Sequence, residues 1–276
     1  SSSTLAQTWN ADLALQEGRT IGTQALQNGY TGWYAPATNM HRTPFSGRNF
    51  EYYSEDGFLA GKICASVVKS MTDKGLITFV KHFALNDQET NRMGCAIFAN
   101  EQSVRQVYLA AFETAVREGD AHGVMVSMNR IGSRWTGGHY GLMTATLRDE
   151  WGFKGMAVTD QASYAVFAYE DMREGLAAGT DLWLNTDATL WKLSDAEMTN
   201  EVVNDMQRAA KNVVYAIAGS NAMNGLAADS KVVSVVPLWK KGLYALDVVA
   251  ALGILITLFF TTRSVIRNRK QKKAEN

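Results

Sequence analysis

LRDEWGFKGMAVTDQ, residues Leu147 to Gln161, holds the pattern that decides the fold. Within it Met156 to Asp160 is a short apolar run that opens after a glycine and closes on an aspartate, the form of a buried strand. Four more runs share that form: Trp33 to Pro36, Ile77 to His82, Gly123 to Met128 and Thr180 to Leu184. Each is only about four to eight residues long and is bounded by Gly, Asn or Asp, so strands are favoured over helices. Between the runs lie stretches of helical period. Ser103 to Glu118 sets Val104, Val107, Tyr108, Ala111, Phe112, Ala115 and Val116 on one face, with Ser103 and Gln106 in capping-box spacing and Gly119 as a stop. Asp56 is placed to cap a second helix through Met71. Strand alternating with helix predicts parallel strands joined by crossovers, an α/β fold.

Each predicted strand leads into polar residues: Asn39, His41 and Arg42; Lys81 and His82; Ser127 and Asn129; Asp160; Asn185. Any one of them alone reads as a helix cap or a buried ion pair. Their recurrence at the C-terminal ends of strands is the arrangement of a (β/α) barrel active site. Two loops add to it. GRNFEYYSED (Gly47 to Asp56) and KHFALNDQETNR (Lys81 to Arg92) carry more charged and aromatic residues than packing requires, which suits a polar, ring-shaped ligand. Within the first loop, Glu51 and Asp56 are read as pairing with the loop's own Arg48 or capping the next helix, not as touching substrate.

In chain order, APATNMHR (Ala35 to Arg42), GRNFEYYSED, KHF with the downstream Arg92, SMN (Ser127 to Asn129), LRDEWGFKGMAVTD and AAGTDLWL (Ala177 to Leu184) resemble the barrel domain of family 3 glycoside hydrolases, the β-glucosidase and β-xylosidase group. The likeness runs over roughly Ser1 to Asn224. It implies an incomplete (β/α)8 TIM-type barrel, placed at residues 1–220. It implies a retaining, exo-acting β-glycosidase, of β-glucosidase type, that removes terminal non-reducing β-linked sugars. In that chemistry one carboxylate attacks the anomeric carbon and a second carboxyl, roughly 5 to 5.5 Å away, protonates the leaving oxygen. Asp160 matches the family nucleophile. Arg48, Lys81, His82 and Arg92 match the family's ligands for the sugar at the cleavage point. Met128 stands where the family usually has an aromatic residue and Gln161 where it usually has Trp; Met128 supplies an apolar, polarisable wall without a hydroxyl. The implied substrate is a β-linked oligosaccharide or an aryl or alkyl β-glycoside, and no cofactor is implied. A hexosaminidase with a loop histidine as acid/base is set aside, because KHFALND replaces the usual Lys-His-Phe-Pro-Gly-His run.

A complete barrel takes about 250 residues and eight strand-helix units, of which five strands are clear here. In the family the acid/base carboxylate lies on a second, α/β domain. AGSNAMNG (Ala218 to Gly225) resembles the barrel end of members with permuted domain order, so the first strands and the acid/base are expected upstream of Ser1 on the same polypeptide. Glu89 and Glu150 are available carboxylates without a spacing argument. After Asn185 one more amphipathic helix is predicted, with Val202, Val203, Met206, Ala210, Val213, Val214 and Ile217 on one face and Ser194 and Glu197 in capping-box spacing. The reading from a different class is a non-catalytic, degenerate membrane-tethered remnant that binds sugar.

The C-terminus carries its own signal. Leu243 to Thr262, about twenty residues broken only by Asp247, reaches about 30 Å as a helix, the thickness of a bilayer core. A linker is expected at 221–240, a transmembrane helix at 241–264 and a basic tail at 265–276. Arg263, Arg267, Arg269, Lys270, Lys272 and Lys273 follow the span, against Lys240 and Lys241 before it. That asymmetry predicts a single-pass protein of the cell membrane, barrel outside and C-terminus cytoplasmic, with the lipid bilayer as a partner. With 27 basic and 27 acidic residues the chain has no net charge, and nucleic-acid binding is not indicated. Neither Cys64 and Cys95 nor the four histidines, His41, His82, His122 and His139, show metal-ligand spacing, so no metal site is assigned. Trp135, in the Gly132 to Gly138 loop, is a candidate for stacking on a sugar face, Trp151 is expected in the core, and Trp239 in the aromatic belt of the membrane surface.

Overall fold

The computed structural model describes residues 1–187, 189–231 and 233–274; Val232 of the expected linker and the last two residues of the expected tail lie outside them. It has two units, Ser1–Gly225 and Leu226–Asn276.

The first unit is built on five strands: β1 (Gly32–Trp33), β2 (Ile77–Phe83), β3 (Gly123–Val126), β4 (Met156–Gln161) and β5 (Leu182–Leu184). They lie side by side in chain order and every pair is parallel, with Gly32 opposite Ile77, Val80 opposite Val124, Val124 opposite Ala157 and Val158 opposite Leu182. This is an open, half-barrel sheet in an α/β fold. Each of the five apolar runs contributes a strand; those at Trp33 to Pro36, Gly123 to Met128 and Thr180 to Leu184 are shorter than their runs, and of the first only Trp33 is in the strand. Beyond β1, Pro36 has no N–H to give, yet its carbonyl accepts from Lys81 (3.0 Å), and Thr38 N–H donates to the Lys81 carbonyl (2.8 Å).

Successive strand residues point to opposite faces. On one face Val80, Val124, Val126 and Ala157 join the main core. On the other, Ile77, Phe79, Met125, Met156 and Val158 form a smaller cluster with Ala216. Burial on both faces is why these strands read as continuous apolar runs and do not alternate with polar residues.

The helices are α1 (Ala11–Gln27), α2 (Gly57–Thr72), α3 (Ala110–Arg117), α4 (Met172–Ala178) and α5 (Asn200–Ala218). Asp56 caps α2 as expected, accepting from Phe58 N–H (2.7 Å) and Leu59 N–H (3.1 Å). The helix buries Ala60, Ile63, Cys64, Val67, Val68 and Met71. Gly61 lets α3 come close: a Cβ there would lie 2.8 Å from Thr114 Oγ1.

Two capping expectations are corrected. The helical stretch before α3 begins at Glu101, because Asn100 Oδ1 takes the Ser103 amide (2.8 Å); a π-helical segment, Val104–Tyr108, then leads into α3. The Ser194/Glu197 capping box does form, but around a 3-10 turn, while α5 starts later under Thr199. The buried residues of α5 are Ala209, Asn212 and Ala216, not the expected valine-rich face; Val214 is 64% exposed. The helix is turned toward a polar anchor, Asn212 Nδ2 donating to Asp181 Oδ1 (2.9 Å).

In the second unit one helix, α6 (Leu238–Ala274), begins directly after Pro237 and runs into the expected tail. Its stretch Leu238–Arg267 has a mean hydropathy of 2.3 over its best window and is long and apolar enough to cross a membrane, by length and composition. Leu246, Val249, Leu252, Ile256, Phe259 and Phe260 are all exposed on it.

Candidate active site

The C-terminal ends of β2, β3 and β4 and the loops after them meet around Asp160. β4 carries it there, and the carboxylate is nearly buried, with Oδ1 accepting the amide of Gln161 (2.7 Å). Its other oxygen faces two groups from the β2 segment, Arg92 Nη1 at 3.4 Å and His82 Nε2 at 3.7 Å.

His82 is held by its backbone. Asn39 grips it twice, accepting from His82 N–H (2.7 Å) and donating to the His82 carbonyl (2.9 Å). Burial lowers the imidazole's pKa well below its ordinary value, and the charges of Arg48, Lys81 and Arg92 push the same way. The ring is therefore neutral at physiological pH and acts toward Asp160 as a dipole. Tyr52, fully buried, meets the His82 ring edge-on and donates its hydroxyl to the Asn86 carbonyl (3.1 Å).

Around this centre cations and carboxylates alternate. Arg48 pairs with Glu51 and reaches Glu89 (3.3 Å); Arg92 also reaches Glu89 (3.5 Å); Lys81 lies 3.8 Å from Glu51. Glu51 thus takes the pairing assigned to it from sequence and a second partner besides. Burial lowers the pKa of Lys81, with Glu51 opposing that shift.

Arg48, Lys81, His82, Arg92 and Asp160 are therefore linked through one network of short and medium-range contacts. Met128 is placed differently: its side chain is buried, and its carbonyl accepts the Tyr169 hydroxyl (2.9 Å). Trp135 is corrected from a stacking platform to a core residue, 2% exposed with Nε1 bonded to the Ser127 carbonyl (3.0 Å). Trp151 is in the core as expected, its ring 5.9 Å from that of Phe83. Glu150 lies outside the site and pairs with Arg105 at 2.8 Å. Cys64 and Cys95 are both free thiols. Among the described residues no cluster of His, Cys, Asp and Glu is arranged to hold a metal ion.

Several buried polar atoms at this end of the sheet have no hydrogen-bond partner among the described residues: His82 Nδ1, both side-chain atoms of Asn86, Asp87 Oδ2, Asn129 Oδ1 and both carboxyl oxygens of Glu170. Buried groups are normally paired; unpaired ones occur elsewhere too, at Arg148 Nε and Trp151 Nε1 for example, but seven of these atoms fall at this end of the sheet. Asn86, Asp87 and Glu170 were not legible as site residues. The weak signal for Glu170 is an acid that closes the mostly apolar run Ala165 to Tyr169 one residue before the helix cap Asp171.

Residues 1–217 match the family model described as the glycosyl hydrolase family 3 N terminal domain. The chain belongs to glycoside hydrolase family 3. Among family 3 relatives, it is 38% identical over 201 residues to beta-glucosidase A of Butyrivibrio fibrisolvens, and 32% identical over 247 residues to a beta-glucosidase of Ruminococcus albus. Those alignments take in 71% and 84% of this chain but only 24% and 25% of the relatives' lengths. The structure of beta-glucosidase 3B from Thermotoga neapolitana in complex with glucose superimposes with a TM-score of 0.71 at 31% identity, over 80% of this chain and 32% of that one. The family 3 beta-glucosidase of Bifidobacterium adolescentis gives a TM-score of 0.72 at 28% identity, over 84% of this chain and 34% of that one.

Proposed function

We propose that the chain is the barrel part of a retaining, exo-acting β-glycosidase of β-glucosidase type, with Asp160 as nucleophile. The observation that carries this is the placing of Asp160 at the end of β4, with one oxygen set between the Arg92 guanidinium and the neutral His82 ring. Arg92 orients the carboxylate at 3.4 Å without engaging it closely, so an oxygen remains available to a sugar carbon. Arg48, Lys81, His82 and Arg92 supply fixed donors for vicinal sugar hydroxyls. In the first step the Asp160 oxygen bonds to the anomeric carbon as the glycosidic C–O bond breaks, and the departing oxygen takes a proton from a second carboxylic acid. Water then cleaves the glycosyl ester with that second group acting as base. The second group belongs, on this proposal, to an α/β domain upstream on the same polypeptide, where the barrel's first strands are also placed.

The protein is further proposed to be anchored by the Leu238–Arg267 stretch as a single span, with the basic residues beyond it on the cytoplasmic side.

The test avoids the need for acid catalysis. A dinitrophenyl β-glucoside with fluorine in place of the hydroxyl next to the anomeric carbon has a leaving group that departs unprotonated, and the fluorine slows release of the ester. Incubated with the full chain, it is expected to add one fluorosugar to the peptide containing Asp160, and none in Asp160→Asn. A wild-type chain that binds glucose but takes no label favours the sugar-binding remnant and overturns the nucleophile.

A further inference from the structure

Strand β4 is regular against β3 and irregular against β5. On the β3 side Met125 lies opposite Val158 and Val126 opposite Thr159. On the β5 side the pairing passes from Val158 opposite Leu182 to Gln161 opposite Leu184, so three steps along β4 face two along β5. This is a bulge with one extra residue, and Thr159 and Asp160 are the residues inside it. Main-chain bonds close on either side of it, Asp181 N–H to the Ala157 carbonyl (2.9 Å) before and Ala162 N–H to the Leu184 carbonyl (2.8 Å) after. Within it a side chain takes over. Thr159 is fully buried; its hydroxyl oxygen accepts the Leu184 N–H (2.9 Å), and the hydroxyl donates to the Asp160 carbonyl (2.6 Å). One hydroxyl thus gives a partner to two main-chain groups at the bulge.

The consequence runs through a single peptide unit, the one that joins Asp160 to Gln161. Its carbonyl is the group held by Thr159, and its N–H donates to Asp160 Oδ1 (2.7 Å). A peptide unit is planar, so fixing the carbonyl fixes the direction of the N–H on the opposite side. With Oδ1 tied to that N–H, Oδ2 is the oxygen that faces Arg92 Nη1 (3.4 Å) and His82 Nε2 (3.7 Å). Those two contacts are long, so the tighter hold on the carboxylate is the one that comes through the peptide unit.

We infer that Thr159 is a positioning residue for Asp160: its hydroxyl locks the Asp160–Gln161 peptide unit inside the bulge and so aims the carboxylate at the mouth of the site. A bulge re-aims a side chain, and a bulge left unpinned can also slip. Thr159 has no exposed surface with which to touch a sugar, so it acts only through Asp160. The role rests on the reading of Asp160 as nucleophile, because only an attacking oxygen needs its direction fixed in this way.

Two substitutions in the full chain test it. Thr159→Val keeps the shape of the side chain and removes the hydroxyl, whereas Thr159→Ser keeps the hydroxyl. A nucleophile displaced by about 1 Å reacts roughly 100-fold more slowly. With the fluorosugar at saturation, Thr159→Val is expected to label at least about tenfold more slowly, its half-saturating concentration little changed, and Thr159→Ser to recover most of the rate. Rates are read per folded chain, from the amount of label at completion, so that lost stability is not counted as lost positioning. Hydrogen exchange at the Leu184 amide reads the bond separately, faster in Thr159→Val and near wild type in Thr159→Ser. Should Thr159→Val not fold, Thr159→Cys, a weaker donor and acceptor, takes its place. A Leu184 amide equally protected in wild type and Thr159→Val, or equal labelling rates in the two, would overturn the inference. A wild type that takes no label removes the nucleophile, and crystal structures then decide the rest: a carboxylate turned away from Arg92 and His82 in Thr159→Val upholds its positioning by Thr159, and one left in place overturns it.

Discussion

At the N-terminal end of β4, Asp181 is gripped by Arg148 Nη2 at 2.6 Å, by the Ala157 amide at 2.7 Å and by Asn212 at 2.9 Å. At the C-terminal end of the same strand, Asp160 has the Gln161 amide at 2.7 Å on one oxygen, and only Arg92 at 3.4 Å and His82 at 3.7 Å on the other. Both carboxylates are largely shielded from solvent, and they differ in how completely their lone pairs are used. The lower end ties the turn before β5 and helix α5 to the sheet. The upper end leaves more oxygens and donors without a partner among the described residues, each a cost of about 1–3 kcal/mol in a folded protein, although Arg148 Nε at the lower end is unpaired as well. That is the division between a barrel's stabilising and active faces.

The first way to break the comparison is to exchange consequences between the two ends. Asp160→Asn is expected to abolish fluorosugar labelling while leaving the unfolding midpoint unchanged or slightly higher, since it removes an under-used charge. Arg148→Met should do the reverse. It leaves Asp181 buried without its counter-charge, which costs about 3–5 kcal/mol, read as a lower urea midpoint, while the chain that remains folded still labels. If Asp160→Asn unfolds the protein, or Arg148→Met abolishes labelling at temperatures where the chain is folded, the division fails.

A third substitution sharpens it. Burial raises the Glu170 pKa in the folded state, so its contribution to stability is fully present below the ordinary carboxylate pKa and is lost as pH rises toward about 9. Glu170→Gln removes that dependence. Its stability relative to wild type should be flat in acid, climb by up to about 1.4 kcal/mol per pH unit through neutrality, and level off beyond pH 9. Melting curves across that range, at matched ionic strength, check it; a difference that does not change with pH would mean that Glu170 is ionised in the fold.

The sequence carries the sheet far better than the site's interior. Five apolar runs bounded by Gly, Asn and Asp became five parallel strands; in the three central ones burial on both faces leaves an unbroken apolar signature. Helix starts were less legible where two capping residues compete: in NEQS, Asn100 and Ser103 both qualify, and Asn100 wins by taking the Ser103 amide. The face of α5 was misread because Asn212, a polar residue, is what the helix buries, and only its bond to Asp181 explains why. At the site, cations and the strand-end aspartate stand out as charge where packing needs none. Glu170 does not, since Glu170-Asp171 at the end of an apolar loop reads as an ordinary acidic helix start, which Asp171 indeed provides.

The smallest effect separates burial from distance. Lys62 Nζ and Glu118 Oε2 are 2.6 Å apart, the same separation as Arg148 and Asp181, but their side chains are 42% and 52% exposed against 10% and 0%. In water the attraction is screened, and holding two long side chains together takes entropy, so a double-mutant cycle on Lys62 and Glu118 should give at most about 1 kcal/mol, falling with added salt. The corresponding cycle on Arg148 and Asp181 should be several times larger and nearly indifferent to salt. Equal coupling in the two cycles would show that proximity alone sets the strength of these pairs. The closeness of the grip on Asp181 would then say nothing about which end of β4 holds the fold, and the looseness around Asp160 would lose its meaning as a sign of function.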